Sequence, residues 1–399
     1  MAKYIVIAGN FEFPDGNAAG KRVAGFGKII EHLGYTPVFI GVTRKTVSQN
    51  ILESKQLYGN AVSYKTPYSR SVKQYLTLGK KVKLFFDVVQ DLGSQNVHGV
   101  ILYRSITLSL WMSFIIRWCK KNSKPVLVDC SDWMPLSCES FLRHIVKVLD
   151  VNYQNNIVTR QADGIIVVSS FIENFFKRKN CKTVMLPHVF NRHELDKYRQ
   201  KFPYHPCECR RFIYTGIPFQ IGTKTSRSMF KDRIDRSLEL FHRLYRNGYS
   251  FCFDIYGFTE SDYLFTVPEH ENIIKEMKDV ICFHGMCGSD EIIKQILLSD
   301  FMILNRDDIL MTRAGFPTKV AESMALGTPV ITEPTSNIAD YLSHGDNGFL
   351  FEKGKEYEAL EYAMQLSEDE VLKMHKNCVD DPKFDYTRFV GVLAEALKI

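Results

Sequence analysis

Short apolar runs alternate with amphipathic helical periods along the whole chain. Tyr4-Ile5-Val6-Ile7-Ala8 reads as a buried strand, followed by a polar loop from Gly9 to Gly20. An amphipathic helix then spans Lys21 to Leu33 and stops at Gly34. Strands follow at Thr36–Val42 and Val100–Tyr103, then a helix from about Ser105 to Lys121 and strands at Pro125–Asp129 and Gly164–Ser169. Such runs, apolar on both faces and separated by helices, predict a parallel sheet covered on each side. From Leu186 to Arg211 the pattern breaks into a polar stretch with Pro187, Pro203 and Pro206. The alternation then restarts: strand Phe212–Thr215, helix Asp232–Asn247, strands Phe251–Tyr256 and Val280–Phe283, helix Ser289–Leu298 and strand Phe301–Leu304. A helix at Thr318–Leu326 closed by Gly327 and a strand at Pro329–Thr332 complete it. The expected organisation is α/β, with two Rossmann-like, doubly wound parallel-sheet domains facing across a cleft. The boundaries are 1–190 for the first domain, 191–210 for a linker, 211–380 for the second domain and 381–399 for a C-terminal helix.

Length agrees, because 399 residues are too many for one ordinary domain. A net charge of +6 suits an anionic ligand or an anionic surface, but 45 acidic residues are interleaved with 51 basic ones. That is not a nucleic-acid footprint, and no nucleic-acid partner is expected. The N-terminal run lacks the parts of a signal peptide, and the apolar stretch Leu108–Trp118 is too short to span a bilayer, so a cytoplasmic protein is expected. Ten cysteines are scattered without a CxxC pair, and no cluster around Cys207 and Cys209 completes a zinc site, so no metal is expected.

The candidate chemistry lies in Ala314-Gly315-Phe316-Pro317-Thr318-Lys319-Val320-Ala321-Glu322 and the residues through Ile331. Gly315 permits a tight turn, and Pro317 suits the first helical position. The helix beginning at Thr318 offers a dipole and free N–H groups to a phosphate. Glu322, one turn in, shares a face with Thr318 and Lys319 and can accept two hydrogen bonds from vicinal hydroxyls, as on a ribose. These residues resemble the C-terminal signature of retaining glycosyltransferases of family 4, the glycogen-synthase-like group with the GT-B architecture. The likeness continues through Ser336-Asn337-Ile338-Ala339-Asp340 and Gly345-Asp346-Asn347-Gly348-Phe349-Leu350. Upstream, Tyr214-Thr215-Gly216, Lys231-Asp232-Arg233, Ile255-Tyr256-Gly257 and Phe283-His284-Gly285 fall in the family's order. The resemblance implies that Glu322 holds the donor ribose and Lys231 contacts the diphosphate. It also implies that the backbone at Ser336, Asn337 and Ile338 approaches the phosphates or sugar.

Two positions depart from the family's pattern. Ala314 stands where the first of two paired glutamates is usual, and Ile217 where an arginine is usual. A leaving diphosphate without a metal needs cations, and Lys231, Lys319, Arg306 and Arg313 are the candidates. In the first half, the resemblance implies that the loop and first helical turn containing Gly16, Asn17, Ala18, Ala19 and Arg22 face the donor phosphates or acceptor; a plain surface loop is the other reading. Asp129 ends a buried strand, where a carboxylate needs a task or a partner. Asp129 or Asp132 would orient the acceptor or donor sugar, or cap the next segment. Arg70–Leu76, Lys80–Phe86 and Trp111–Lys121 mix cations with large apolar residues, which suits either an anionic membrane or ordinary helices packed on the sheet.

The resemblance therefore predicts a metal-independent, retaining glycosyltransferase using a nucleotide-sugar cosubstrate, with no cofactor. The acceptor is a glycan or polyprenyl-linked glycan of surface polysaccharide, and the inner membrane face is a place of contact. The resemblance also implies that the C-terminal helix crosses back onto the first domain. The alternatives are a non-catalytic nucleotide-sugar-binding protein and a sugar-nucleotide 2-epimerase of the same architecture.

Overall fold

The computed structural model describes residues 2–14, 18–43, 45, 50–67, 78–105, 108–133, 141–207 and 209–399. Two compact units emerge: one comprises 1–189 with 386–399, the other 190–385.

The first unit holds an eight-stranded sheet. Its strands are β1 (Tyr4–Gly9), β2 (Thr36–Thr43), β3 (Gln56–Tyr58), β4 (Ala61–Pro67), β5 (Val97–Tyr103), β6 (Val126–Cys130), β7 (Gly164–Val167) and β8 (Thr183–Met185). Their order is β3-β4-β2-β1-β5-β6-β7-β8, parallel except for the β3–β4 pair. Helix Ala18–His32 places Val23, Phe26, Ile29 and Ile30 on one stripe, all fully buried against Ile5, Ile7 and Phe39 of the sheet. The last helix, Val390–Leu397, buries Leu393 and Leu397 in this same core. Lys398 Nζ meets Asp163 Oδ1 at 3.0 Å just beyond it.

The second unit is a six-stranded parallel sheet of β9 (Arg210–Thr215), β10 (Phe251–Tyr256), β11 (Ile281–Gly285), β12 (Phe301–Leu304), β13 (Val330–Thr332) and β14 (Gly348–Leu350). The order is β11-β10-β9-β12-β13-β14. The chain leaves the central β9 toward β10 and β11, then returns to lay β12 on the other side. The winding direction therefore reverses between β9 and β12. In doubly wound sheets the crevice outside the carboxyl ends of the strands at such a point accepts the ligand.

The expected linker at 191–210 is corrected. Asn191 caps a helix, Arg192–Lys201, that belongs to the second unit, its carboxamide accepting from the His193 N–H. The prolines that suggested a linker lie before and after this helix, where they interrupt nothing. Trp111 and Ile115, read as membrane-facing candidates, are buried, whereas Phe114 and Arg117 face outward. That is an amphipathic helix packing on its own sheet. Arg70–Leu76, Gly16 and Asn17 lie outside the described residues. Among the described residues no helix is long and apolar enough to cross a membrane.

Candidate functional site

The switch point of the second unit is built around one buried carboxylate. Asp232 lies just before helix Ile234–Arg246, 4% exposed. Its Oδ1 accepts from Arg306 Nε at 2.7 Å, and its Oδ2 accepts from Lys319 Nζ at 2.5 Å and Tyr214 Oη at 3.0 Å. Tyr214 ends β9, Arg306 follows β12, and Lys319 is in the first turn of helix Thr318–Leu326, so three separate elements meet at this group. Burial alone would raise the Asp232 carboxyl, but Lys319 and Arg306 hold it well below the usual carboxylate range. Lys319 is lowered, first by burial and also by the fields of Arg306 and Lys231, against the opposing pull of Asp232. One buried and one partly buried cation facing one carboxylate leave an excess positive charge. Such a cluster is relieved by an anion.

Gly216 makes room for this arrangement. It has φ +137°, and a Cβ there would sit 2.5 Å from Lys319 Nζ. Any side chain would push the ammonium off Asp232.

Arg306 is fixed from behind. Its N–H donates to Glu333 Oε2 at 2.8 Å, and the preceding Asn305 carbonyl accepts from Arg233 N–H at 2.7 Å. Arg233 and Arg236 both pair with Asp307, the next residue. Arg306 Nη1, Thr335 Oγ1 and Ser336 Oγ are buried and make no hydrogen bond. Three orphaned donors within the loops after β12 and β13 are expensive unless a ligand satisfies them. Ser336 adopts φ +56°, a left-handed conformation that a serine adopts at a cost.

Glu333, at the end of β13, was not singled out by sequence. Burial pushes its carboxyl up to about 7, against the hydrogen bond from the Arg306 N–H. The folded value lies above the ordinary 4.5, so folding favours the protonated form. This stabilisation is full below about 4.5 and is lost as pH rises through about 7. Glu333→Gln keeps a neutral group at every pH. Its melting temperature is expected to gain on the parent's between pH 5 and pH 8; a difference that does not change with pH contradicts this reading.

Helix Thr318–Leu326 has the bounds read from the sequence, with Gly327 at φ +103° donating to the carbonyls of Ser323 and Met324. Pro317 stands at its N-cap. Glu322 is 9% exposed, one turn into the helix. Gly315 and Thr318 flank Phe316, whose ring is corrected from a ligand contact to a packing group. It lies 5% exposed, edge-on to Tyr341 at 5.2 Å, with Phe384 beyond. Ile338 is likewise buried completely, and Asn337 Nδ2 donates to Asp340 Oδ2 at 3.0 Å. Arg313 is corrected too: it is half exposed and held bidentate by Asp308, outside the Asp232 cluster. Lys231 is half-buried beside Asp232.

In the first unit, two candidates prove to be partners of each other. Arg22 is 1% exposed and Asp129 0%. Arg22 Nε donates to Asp129 Oδ2 at 2.8 Å and Nη2 to Oδ1 at 2.6 Å, while the guanidinium also donates to the carbonyls of Leu186 and Pro187. The reading of Asp129 as a group facing substrate, and of Arg22 as one facing phosphate, is therefore replaced by a sealed ion pair joining helix Ala18–His32 to the sheet. Asp132 is exposed, its Oδ1 accepting from the Trp133 N–H. Ala18 and Ala19 open the helix.

Tyr214, Asp232, Glu333 and Thr335 belong to this cluster, and the sequence reading assigns none of them a part. Asp232 lies inside the motif Lys231-Asp232-Arg233, and a carboxylate before an amphipathic helix gives no sign of its three partners. Glu333 directly follows a buried strand, the same signal that drew attention to Asp129.

Residues 225–381 match the family model of glycosyl transferases group 1. A curated relative, N-acetyl-alpha-D-glucosaminyl L-malate synthase of Bacillus anthracis, is 31% identical over 115 residues, which are 28% of this chain and 28% of that protein. The match thus spans less than a third of the relative's length. Among solved structures, sucrose-phosphate synthase of Thermosynechococcus elongatus is similar with TM-score 0.69 and 13% identity, covering 99% of this chain and 98% of that one. The Anabaena protein HepE, solved with UDP and glucose, is similar with TM-score 0.62 and 14% identity over 99% of both chains. The fold is that of the GT-B glycosyltransferases, and within the second unit residues 225–381 are similar to the group 1 family.

Proposed function

We propose that this protein transfers a sugar from a nucleotide-sugar donor to a glycan or lipid-linked glycan acceptor, with the donor held by the second unit. The observation that supports this most is the excess of positive charge where partly buried Lys319 and buried Arg306 meet Asp232, at the switch point between β9 and β12. A diphosphate there neutralises the surplus cation and gives the orphaned Arg306, Thr335 and Ser336 groups their acceptors. Lys231 adds a further cation beside it. Glu322, one turn up the adjoining helix, takes the ribose hydroxyls. As bonds to the leaving diphosphate break, its growing charge meets Lys319 and Arg306, already in place. The similarity to HepE, solved with UDP and glucose, agrees with a nucleotide-sugar donor.

The test is turnover. The full chain is incubated with a panel of UDP-, GDP- and dTDP-sugars, with and without glycan acceptors, and released nucleoside diphosphate is measured. Release from one donor class, reduced at least about tenfold in Glu322→Ala, is expected. A chain that interconverts free donors without releasing diphosphate is an epimerase, and one that does neither is a binding protein; either result displaces this reading.

A further inference from the structure

A second constellation lies on the β10–β11 edge of the second unit, apart from the Asp232 cluster. Cys282 and His284 are two residues apart on β11, so a strand's period of two puts both side chains on one face. Asp254 on β10 is the register partner of Cys282 in the parallel pair, which brings a carboxylate to the same face. The donor atoms of Asp254, Cys282 and His284 lie within 4.8 Å of one another. His284 Nε2 is 2.6 Å from Asp254 Oδ1, and its Nδ1 is 3.8 Å from Cys282 Sγ.

We propose that Cys282, His284 and Asp254 form a binding site for a soft divalent cation of the Zn2+ class. Thiolate, imidazole and carboxylate are the donor set such an ion selects. At metal distances of about 2.0 Å to nitrogen and about 2.3 Å to sulfur, tetrahedral ligands stand roughly 3.5 Å apart. One donor atom from each residue already lies within 4.8 Å of the others, and because Asp254 faces Nε2 and Cys282 faces Nδ1, closing on an ion takes a side-chain rotation that brings one ring nitrogen to both. The imidazole ring is supported from one side, stacking on Tyr256 with centroids 4.2 Å apart and 6° between the planes. About 30% of the Asp254 and His284 side chains is exposed and Cys282 faces solvent, so an ion enters without unfolding, and water supplies the fourth ligand. Binding displaces the thiol proton of Cys282 to solvent, so occupancy rises with pH.

The probe is Co2+, titrated into the reduced full-length protein. Cobalt bound by a thiolate gives a sulfur-to-metal charge-transfer band in the near ultraviolet. One equivalent is expected to bind, to show this band and to be displaced by Zn2+. Cys282→Ser removes the band, His284→Ala abolishes stoichiometric binding, and Asp254→Asn weakens binding at least about tenfold. Cys209→Ser, which changes a thiol outside the trio, leaves all of this unchanged. These positions are at the surface, and unaltered melting curves confirm that the variants fold. Absence of the band, or its persistence in Cys282→Ser, overturns the site. Undiminished affinity in Asp254→Asn overturns the three-ligand arrangement.

Discussion

Replacing Arg22 with Met is expected to destabilise the first unit by about 3–5 kcal/mol, read from urea unfolding of the full chain. Arg22 and Asp129 are both inaccessible to water, so the substitution leaves a carboxylate with neither solvent nor partner. It also strips donors from the carbonyls of Leu186 and Pro187. The double variant Arg22→Met/Asp129→Leu removes both charges and is expected to recover much of the loss, because breaking a buried pair costs more than deleting it. If Asp129 instead faced substrate, Asp129→Asn would abolish turnover while leaving the unfolding curve in place. The sealed geometry predicts the opposite order of effects, stability first and activity through it.

Lys319→Met is expected to lower turnover by about 10²–10³-fold, the usual effect of losing one preorganised group aimed at developing charge. Stability suffers less than in Arg22→Met, because Asp232 keeps Arg306 at 2.7 Å and Tyr214 at 3.0 Å. A large loss of turnover in a protein that still melts cooperatively places Lys319 at the donor. Equal loss of both makes it a structural cation. Gly216→Ala is expected to follow Lys319→Met in direction, since its methyl group would displace the same ammonium.

The second unit was the more legible half. Helix Thr318–Leu326, its stop at Gly327, strand Phe301–Leu304 and helix Ser289–Leu298 have the bounds their periodicity and end signals implied. Short edge strands such as β3, β8 and β14 escape notice because three residues carry no period and, unlike Val330-Ile331-Thr332 of β13, they are not an unbroken run of β-branched residues. Helix Arg192–Lys201 was hidden for a different reason. Its residues are almost all polar and none is buried, so no apolar stripe distinguished it from a linker.

At the candidate site, two of the cations read from the sequence share one partner that the sequence did not indicate. Lys319 and Arg306 were candidates as diphosphate partners, and the structure brings them together. The carboxylate between them, Asp232, comes from a strand–helix junction 74 and 87 residues away. No local signal reports a contact of that span. The same limit applies to Arg22 and Asp129, 107 residues apart, each correctly sensed as unusual and each explained by the other. Ala314 is fully buried, so the position where a glutamate is usual in the resembling family here belongs to the packed interior.

The most direct test of the central claim is thermal shift of the purified chain with UDP, GDP, dTDP and CMP, beside Glu322→Ala. A ligand at a hundredfold excess over its Kd stabilises the folded state by about 2.7 kcal/mol. The account predicts a clear rise in melting temperature with one nucleoside diphosphate and its loss in Glu322→Ala. No rise with any of the four, or a rise unaffected by the substitution, would contradict a donor site at the β9–β12 switch point.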